Sequence, residues 1–149
     1  MFRRNGLFVA VLILTFPSFC CAQGVLLTAK AIAAEKYADW TYGSATADKQ
    51  IDCVQFVLAV SEVALSQTVD SKTRQRILIS DLGAEEIANL PSLIASEDER
   101  IKGIQTALIS IQRGEPIEPK DAKPGDLVQY WMQKSDGTWF GHAGILEQV

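Results

Sequence analysis

The spacing of apolar residues predicts two helices in the first half of the chain. Residues 25–40 are rich in Ala, Leu, Glu and Lys and contain no Gly or Pro, a composition that favours a helix. Residues 52–66 carry an apolar stripe at helical intervals, formed by Cys53, Phe56, Val57, Val60 and Ala64. Other faces of the same segment are also apolar, at Val54, Leu58 and Leu65. We therefore expect the second helix to be central and well buried.

A capping box marks the start of this second helix. Asp52 and Gln55 form a D-x-x-Q arrangement, in which each side chain accepts a hydrogen bond from the backbone N–H of the other residue. The pattern makes Asp52 the N-cap and Cys53 the first helical residue.

Residues 70–113 are predicted to form a helical insertion that packs on the rest of the chain. Helical turns are expected at residues 76–80 and 85–89, and Pro91 breaks the run. The insertion is not expected to be a separate domain, so residues 23–149 are taken as one unit.

A clearer helix is predicted at the end of the insertion. Ser96 and Glu99 form a second capping box before it, and Gly114 marks its end. One face of this helix is apolar, at Ile101, Ile104, Leu108 and Ile111. An extended linker is expected after it, because prolines follow at Pro116, Pro119 and Pro124.

The last part of the chain, residues 126–149, is predicted to be a β-hairpin of the sheet. The apolar period changes there from helical to alternating, and Asp136-Gly137 is a strong signal for a two-residue hairpin loop. Such a loop pairs Ser135 with Thr138. The second strand would then lie at an edge with no outer neighbour, so the hairpin is expected to be incomplete and the 149-residue chain to be unstable.

The predicted register fixes which residues meet across the hairpin. Counting outwards from the loop places Trp131 directly opposite His142. One face of the second strand carries Phe140, His142, Gly144 and Leu146. Helices followed by an antiparallel hairpin give an α+β fold class.

Residues 1–22 have the three parts of a secretory signal peptide. Two arginines stand near the start, residues 7–16 are apolar, and small residues lead to a cleavage point after Ala22. The apolar part is shorter than the ~20 residues that span a bilayer. We therefore expect a mature chain of residues 23–149 without an integral membrane span, located in the periplasm or secreted. A lipoprotein signal is the alternative, and Phe19 before Cys20 fits it poorly.

Composition excludes several classes of function. The chain has 149 residues and a net charge of −4, which gives no basic field to attract nucleic acid. Three cysteines are too few for a disulfide scaffold, and one histidine cannot supply most ligands of a zinc site. No metal or other cofactor is therefore expected. Removal of the signal would leave Cys53 as the only thiol.

Cys53 and His142 are the candidate catalytic residues, and each has two interpretations. Cys53 is either a small apolar residue on a buried stripe or a nucleophile whose thiolate is stabilised by the N–H groups at a helix N-terminus. His142 is either a hydrogen-bonded strand residue or a general base. Cysteine catalysis needs only these two residues as nucleophile and base.

The sequence resembles the NlpC-type cell-wall cysteine peptidases and the related CHAP amidases. Four blocks carry the resemblance, in the same order: Tyr42-Gly43, Asp52-Cys53-Val54-Gln55-Phe56-Val57, Pro124-Gly125-Asp126-Leu127-Val128 and Gly141-His142-Ala143-Gly144-Ile145. The resemblance implies a papain-like α+β fold, with Cys53 as the nucleophile and His142 as the base. It also suggests that Tyr42 lies near the oxyanion and that a peptidoglycan stem peptide is the substrate.

Three features depart from the family pattern. Val54 and Gln55 replace a small Ser-Gly pair of the NlpC-type enzymes, which leaves the choice between NlpC and CHAP open. The stretch between Cys53 and His142 is long, as the insertion explains. No third catalytic residue is found after His142, because Glu147 faces the other side of the strand and Gln148 lies too far along it.

The sequence thus leads to three functional hypotheses. The first is an exported cysteine hydrolase that cleaves peptide or amide bonds of peptidoglycan. The second is an inactive relative that keeps the fold and groove as a binding module. The third is an acyltransferase that uses the same thiol.

Overall fold

The computed structural model describes residues 10–15, 19–43, 48–65, 69–80 and 82–148, and this part of the chain has an α+β fold. Its elements in chain order are β1 (Ala10–Thr15), α1 (Phe19–Glu35), β2 (Thr41–Tyr42), β3 (Gln50–Ile51), α2 (Cys53–Ala64), α3 (Ser71–Ile77), α4 (Ala84–Ala88), α5 (Leu90–Ala95), α6 (Gly103–Ser110), β4 (Glu115–Ile117), β5 (Leu127–Gln133) and β6 (Trp139–Ile145). Two 3₁₀ turns complete it, Glu99–Ile101 and Pro119–Asp121.

The main sheet has four strands in the order β4-β1-β5-β6, and every neighbouring pair is antiparallel. The predicted hairpin is therefore present as β5 and β6, and β6 lies at the edge of the sheet. On the other side of β5, the sheet is extended by β1 and β4. Part of the extended linker expected after Gly114, residues 115–117, forms β4 and pairs with β1.

The hairpin register differs by one residue from the predicted one. Tyr130, and not Trp131, lies opposite His142, and Trp131 pairs with Gly141. The loop is longer than expected, since the Gly137 N–H donates to the Lys134 carbonyl (3.0 Å) and the Lys134 N–H donates to the Thr138 carbonyl (2.8 Å). Gly137 has a φ of +85°, the left-handed position that closes a three-residue loop with a bulge.

The strand β5 begins after a tight turn that contains the Pro-Gly-Asp block. Gly125 has a φ of +95°, and its N–H donates to the Leu146 carbonyl at 2.7 Å. The Asp126 carboxylate accepts from the Lys123 N–H at 2.7 Å, and the Asp126 carbonyl accepts from the Leu146 N–H at 2.8 Å. The turn therefore ties the start of β5 to the chain that follows β6.

The helix α2 confirms the predicted capping box and the predicted burial. The Gln55 N–H donates to the Asp52 carboxylate at 2.8 Å, and the Asp52 N–H donates to the Gln55 side chain at 3.3 Å. Val57 and Val60 of the apolar stripe are fully buried. Buried residues of α1, α3, α6 and the sheet belong to the same core cluster as α2, including Val25, Ile77, Leu108, Leu127 and Ala143. The predicted insertion thus packs on a shared core.

The helix at the end of the insertion begins and ends differently from the prediction. Ser96 is the C-cap of α5 and forms no capping box with Glu99. The turn that follows, Glu99–Ile101, is instead capped by Asp98, whose carboxylate accepts from the Arg100 N–H at 2.9 Å. The helix α6 then ends at Ser110, well before Gly114.

Other parts of the insertion agree with the sequence more closely. Ile101, Ile104 and Leu108 are buried on one side, as the apolar pattern predicts. Pro91 separates two helices, since it stands in the first turn of α5, where its missing N–H costs nothing. The helix α3 starts earlier than the expected turn at 76–80, because Asp70 caps it by accepting from the Thr73 N–H.

The helix α1 is shifted towards the N-terminus relative to the predicted helix at 25–40. It ends at Glu35, and residues after it form turns in which Tyr37 and Trp40 pack edge to face with ring centroids 4.9 Å apart. Its first turns and β1 fall within the predicted signal peptide. Residues 1–9 and 16–18 of that signal lie outside the described residues. The signal peptide itself stays a prediction.

The helices of the described part were also compared with the dimensions of a bilayer. None of them is both long enough and apolar enough to cross one.

Candidate functional site

Cys53 is the first residue of α2, where the sequence predicts it. The capping box fixes the helix at this point, because Asp52 accepts from the Gln55 N–H and prevents the first turn from fraying. The Cys53 side chain is partly exposed and makes no disulfide. Cys53 therefore stands in the first turn of α2, where backbone N–H groups lack intrahelical partners.

Tyr42 lies next to Cys53, and its role near an oxyanion stays a prediction. Its hydroxyl donates a hydrogen bond to the Cys53 Sγ across 3.9 Å. Pairing of β2 with β3 accounts for this contact, since Tyr42 is the partner of Ile51, two residues before Cys53. The hydrogen bond to Cys53 raises the pKa of the Tyr42 hydroxyl, so the phenol stays protonated and remains a donor. Tyr42 is 73% exposed and is accessible to a ligand.

His142 lies on the edge strand β6, and its ring faces Tyr130 with the two ring centroids 5.4 Å apart. Ala143, the next residue, is buried in the core, so the alternation of a strand directs the His142 side chain towards the other face of the sheet. Within the described part of the chain, Cys53 and His142 are not joined by a hydrogen bond. Their action as a catalytic pair stays a prediction.

A cavity of about 280 Å³ lies between α2, the sheet and the helical insertion. Val54 lines it from α2, and residues 141–143 line it from β6. Cys53 is not part of this lining. The helical insertion supplies the opposite wall through aliphatic side chains, Leu78, Ile79, Leu82, Ile87 and Leu90. We name this space the insertion cavity.

Sequence reasoning missed the insertion cavity and the contact of His142 with Tyr130. The apolar residues at 78–90 show no clean helical period, so nothing in their spacing marks them as a lining. The contact with Tyr130 depends on the hairpin register. A longer loop with Gly137 in the left-handed position would have given the correct partner.

No third catalytic residue emerges from the polar groups at the end of the chain. Glu147 forms an ion pair with Lys30 of α1 at 2.8 Å, and this pair lowers the pKa of the Glu147 carboxyl. The described residues also hold no group of three or more His, Cys, Asp or Glu side chains arranged to bind a metal ion.

Comparisons with protein-family models, with curated proteins and with solved structures find no match to this chain. The function of this chain is therefore inferred from the geometry of the site.

Proposed function

We propose that the protein is an exported cysteine hydrolase of papain-like fold that cleaves peptide or amide bonds of peptidoglycan. The observation that carries the proposal is the hydrogen bond from Tyr42 to Cys53 at the capped start of α2. A thiol that receives a phenol donor and lies at a helix N-terminus is placed where a thiolate is stabilised.

The proposed reaction begins with attack of the Cys53 Sγ on the substrate carbonyl, while His142 takes the thiol proton. The carbonyl oxygen becomes an oxyanion, for which the first N–H groups of α2 and the Tyr42 hydroxyl are the available donors. The C–N bond breaks, His142 protonates the leaving amine, and a thioester remains on Cys53. Water then hydrolyses the thioester and releases the acid and the free thiol.

This mechanism requires a movement of His142. Its ring packs beside Tyr130 and has no hydrogen bond to Cys53 in the described structure. Catalytic hydrogen bonds often form only in the substrate complex, and β6 is an edge strand that is held on one side only. We therefore propose that β6, and not α2, moves when the substrate binds.

The test is digestion of purified peptidoglycan, with released fragments identified by mass spectrometry. We expect Cys53→Ala to abolish release and His142→Ala to reduce it by roughly 10²–10⁴-fold, the usual contribution of a general base. Ile109→Ala, on the exposed side of α6, is the control and should digest normally. Wall digestion that survives Cys53→Ala, or its absence in a wild-type protein that melts cooperatively, would refute the proposal.

A second function, a non-catalytic binding module, is favoured by the separate packing of His142 against Tyr130. It predicts that wild-type protein and Cys53→Ala sediment equally with insoluble peptidoglycan and that neither releases fragments. The hydrolase instead predicts that only Cys53→Ala remains bound while the wild-type protein degrades its target.

A further inference from the structure

The strand β6 and the residue after it have two faces of nearly the same chemistry. Successive residues of a strand alternate between its faces, so each face carries every second residue. Both faces begin with an aromatic residue and end with an aliphatic one, and they differ mainly in that one of them carries the histidine. The first face consists of Trp139, Gly141, Ala143 and Ile145, and the second of Phe140, His142, Gly144 and Leu146. Two similar faces specify the register of a strand only weakly.

The described register directs His142 away from α2. His142 pairs with Tyr130, and Ala143 on the opposite face belongs to the same core cluster as Val57 of α2. A shift of β6 by one residue along β5 would exchange the two faces, because the side-chain period of a strand is two. His142 would then lie opposite Trp131, on the face that packs on α2.

The loop of the hairpin is compatible with both registers. In the described register the loop has three residues, and the Asp136 carboxylate stabilises it by accepting from the Thr138 N–H at 2.9 Å. Asp136-Gly137 is also among the preferred sequences for a two-residue loop. That shorter loop would pair Ser135 with Thr138, which is the pairing of the shifted register. The exchange therefore needs no change in the length of the chain.

The described register is stabilised at one end of β6 and disfavoured at the other. The Leu146 carbonyl accepts from the Gly125 N–H at 2.7 Å, and the Leu146 N–H donates to the Asp126 carbonyl at 2.8 Å. At the other end, the buried indole N–H of Trp139 has no hydrogen-bond partner within the described residues, which is unfavourable. In the shifted register Phe140, which has no polar group, would take the place of Trp139. Only β5 holds β6 in the sheet, so no second neighbour opposes the shift.

We propose that β6 exchanges between these two registers and that the one-residue shift carries His142 from Tyr130 to the face that packs on α2. The exchange itself does not depend on the proposed function, whereas its role as a switch of the catalytic base rests on it. In the described register the base is on the wrong face for Cys53 and the site is at rest. Substrate binding selects the shifted register, in which His142 and α2 share one face.

Gly141 provides a variant that disfavours only the described register. An added Cβ at this position would lie 3.2 Å from the Trp131 ring, closer than ordinary contact. The ring cannot yield easily, because Trp131 is only 8% exposed and its indole N–H donates to the Ile101 carbonyl at 3.2 Å. In the shifted register residue 141 lies on the other face, away from Trp131. Gly141→Ala should therefore favour the shift.

Gly144→Ala is the matched control. An added Cβ at Gly144 would meet the Val128 side chain at 3.7 Å, an ordinary contact, so the described register accepts it. In the shifted register residue 144 would take the place opposite Gln129 that Ala143 occupies now, where an alanine already fits. The substitution should therefore leave the balance of the two registers unchanged.

Deletion of Ser135 provides a variant with the opposite effect. Lys134 and Thr138 lie on either side of the present loop, and the Lys134 N–H donates to the Thr138 carbonyl at 2.8 Å. Without Ser135, the preferred two-residue loop Asp136-Gly137 would join these same two residues. The described pairs and the preferred loop would then coincide, and β6 should stay in the described register.

The experiment is NMR spectroscopy of the full chain with labelled histidine, in which His142 gives the only labelled ring. In the wild-type protein we expect contacts of this ring with Tyr130 and microsecond-to-millisecond exchange with a second state, populated at roughly 0.1–10%. Gly141→Ala should raise that population about fivefold or more, with ring contacts to Trp131. Gly144→Ala should match the wild type, and deletion of Ser135 should abolish the exchange.

The outcomes separate this proposal from the proposed function. An unchanged population in Gly141→Ala, or an equal rise in Gly144→Ala, overturns the exchange of register. If Gly141→Ala does not melt cooperatively, the Ser135 deletion decides, because exchange that persists there overturns the proposal. In peptidoglycan digestion, Gly141→Ala should release fragments faster and the deletion variant more slowly. Registers that respond as expected while no variant releases fragments would support the exchange and overturn the hydrolase. Release that does not follow the population of the shifted register would overturn the role of the exchange as a switch.

Discussion

Two glycines with the same backbone conformation provide a sharp test of how α1 packs on the sheet. Gly125 and Gly137 both have positive φ, at +95° and +85°. An added Cβ at Gly137 meets nothing within 4 Å, whereas one at Gly125 would lie 1.8 Å from the Ala22 carbonyl oxygen in α1. Both alanine substitutions carry the cost of left-handed backbone, about 1–2 kcal/mol. Gly125→Ala adds the displacement of α1, about 1–3 kcal/mol more.

The assay is thermal unfolding by circular dichroism under identical conditions. For a chain of this size about 1 kcal/mol corresponds to ~3–5 °C, so Gly137→Ala should lower the Tm by ~3–10 °C and Gly125→Ala by about twice as much. Equal losses would refute the packing of Ala22 on the β5 turn.

The same pair of glycines also reports on the predicted signal peptide. In a chain that begins after residue 22, the Ala22 carbonyl is absent and the clash at Gly125 disappears. The two substitutions should then cost the same. The comparison is therefore made on the full chain and on exported protein whose N-terminus has been sequenced.

Three further predictions concern the helix starts and the thiol. Asp52→Ala should lower the unfolding free energy by about 1 kcal/mol because the N-cap is lost, while Asp52→Asn should retain it; a cooperative melt distinguishes the two, and equal losses would contradict the cap. Tyr42→Phe should slow alkylation of Cys53 by about two- to tenfold at neutral pH, as measured by peptide mass spectrometry, because one donor to the sulfur is removed; an unchanged rate would contradict this role. The Thr73 N–H at the start of α3 donates to Asp70 and lowers the pKa of this carboxyl below its ordinary value. The charged Asp70 therefore stabilises the fold at pH values above the ordinary pKa, and this stabilisation is lost as the pH falls through the lowered pKa. Melts between pH 6 and 2 should therefore depend less on pH in Asp70→Asn than in the wild-type protein, and identical profiles would contradict this linkage.

The parts of the fold that the sequence predicts correctly depend on short-range signals. The Asp52 and Gln55 capping box places Cys53 at the first residue of α2, and the apolar stripe identifies the buried face. Capping needs two residues three positions apart, and a buried stripe needs only the helical period. Neither depends on a distant partner, which is why both follow from the sequence alone.

The sequence-based predictions fail where the structure depends on a distant pairing partner or on the conformation of a loop. Residues 10–15 are apolar almost throughout, which is typical of a signal peptide and of a buried strand alike, so the strand β1 was not predicted; its pairing with β5 depends on a distant partner. At the hairpin, Asp136-Gly137 predicts a two-residue loop. The Asp136 carboxylate instead accepts from the Thr138 N–H at 2.9 Å and stabilises a longer turn, which shifts every pair of the hairpin by one residue.

The long stretch between Cys53 and His142 has a structural use that the family resemblance does not suggest. Its side chains extend the shared core at Ile77, Ile104 and Leu108, and they belong to the same cluster as Val57 and Val60 of α2. Burial of this cluster stabilises the helix that begins at Cys53. The Gln129 side chain of β5 also accepts from the Ile104 N–H and donates to the Ile101 carbonyl, which joins the insertion to the sheet. The insertion therefore fixes the position of α2 relative to the sheet that carries His142.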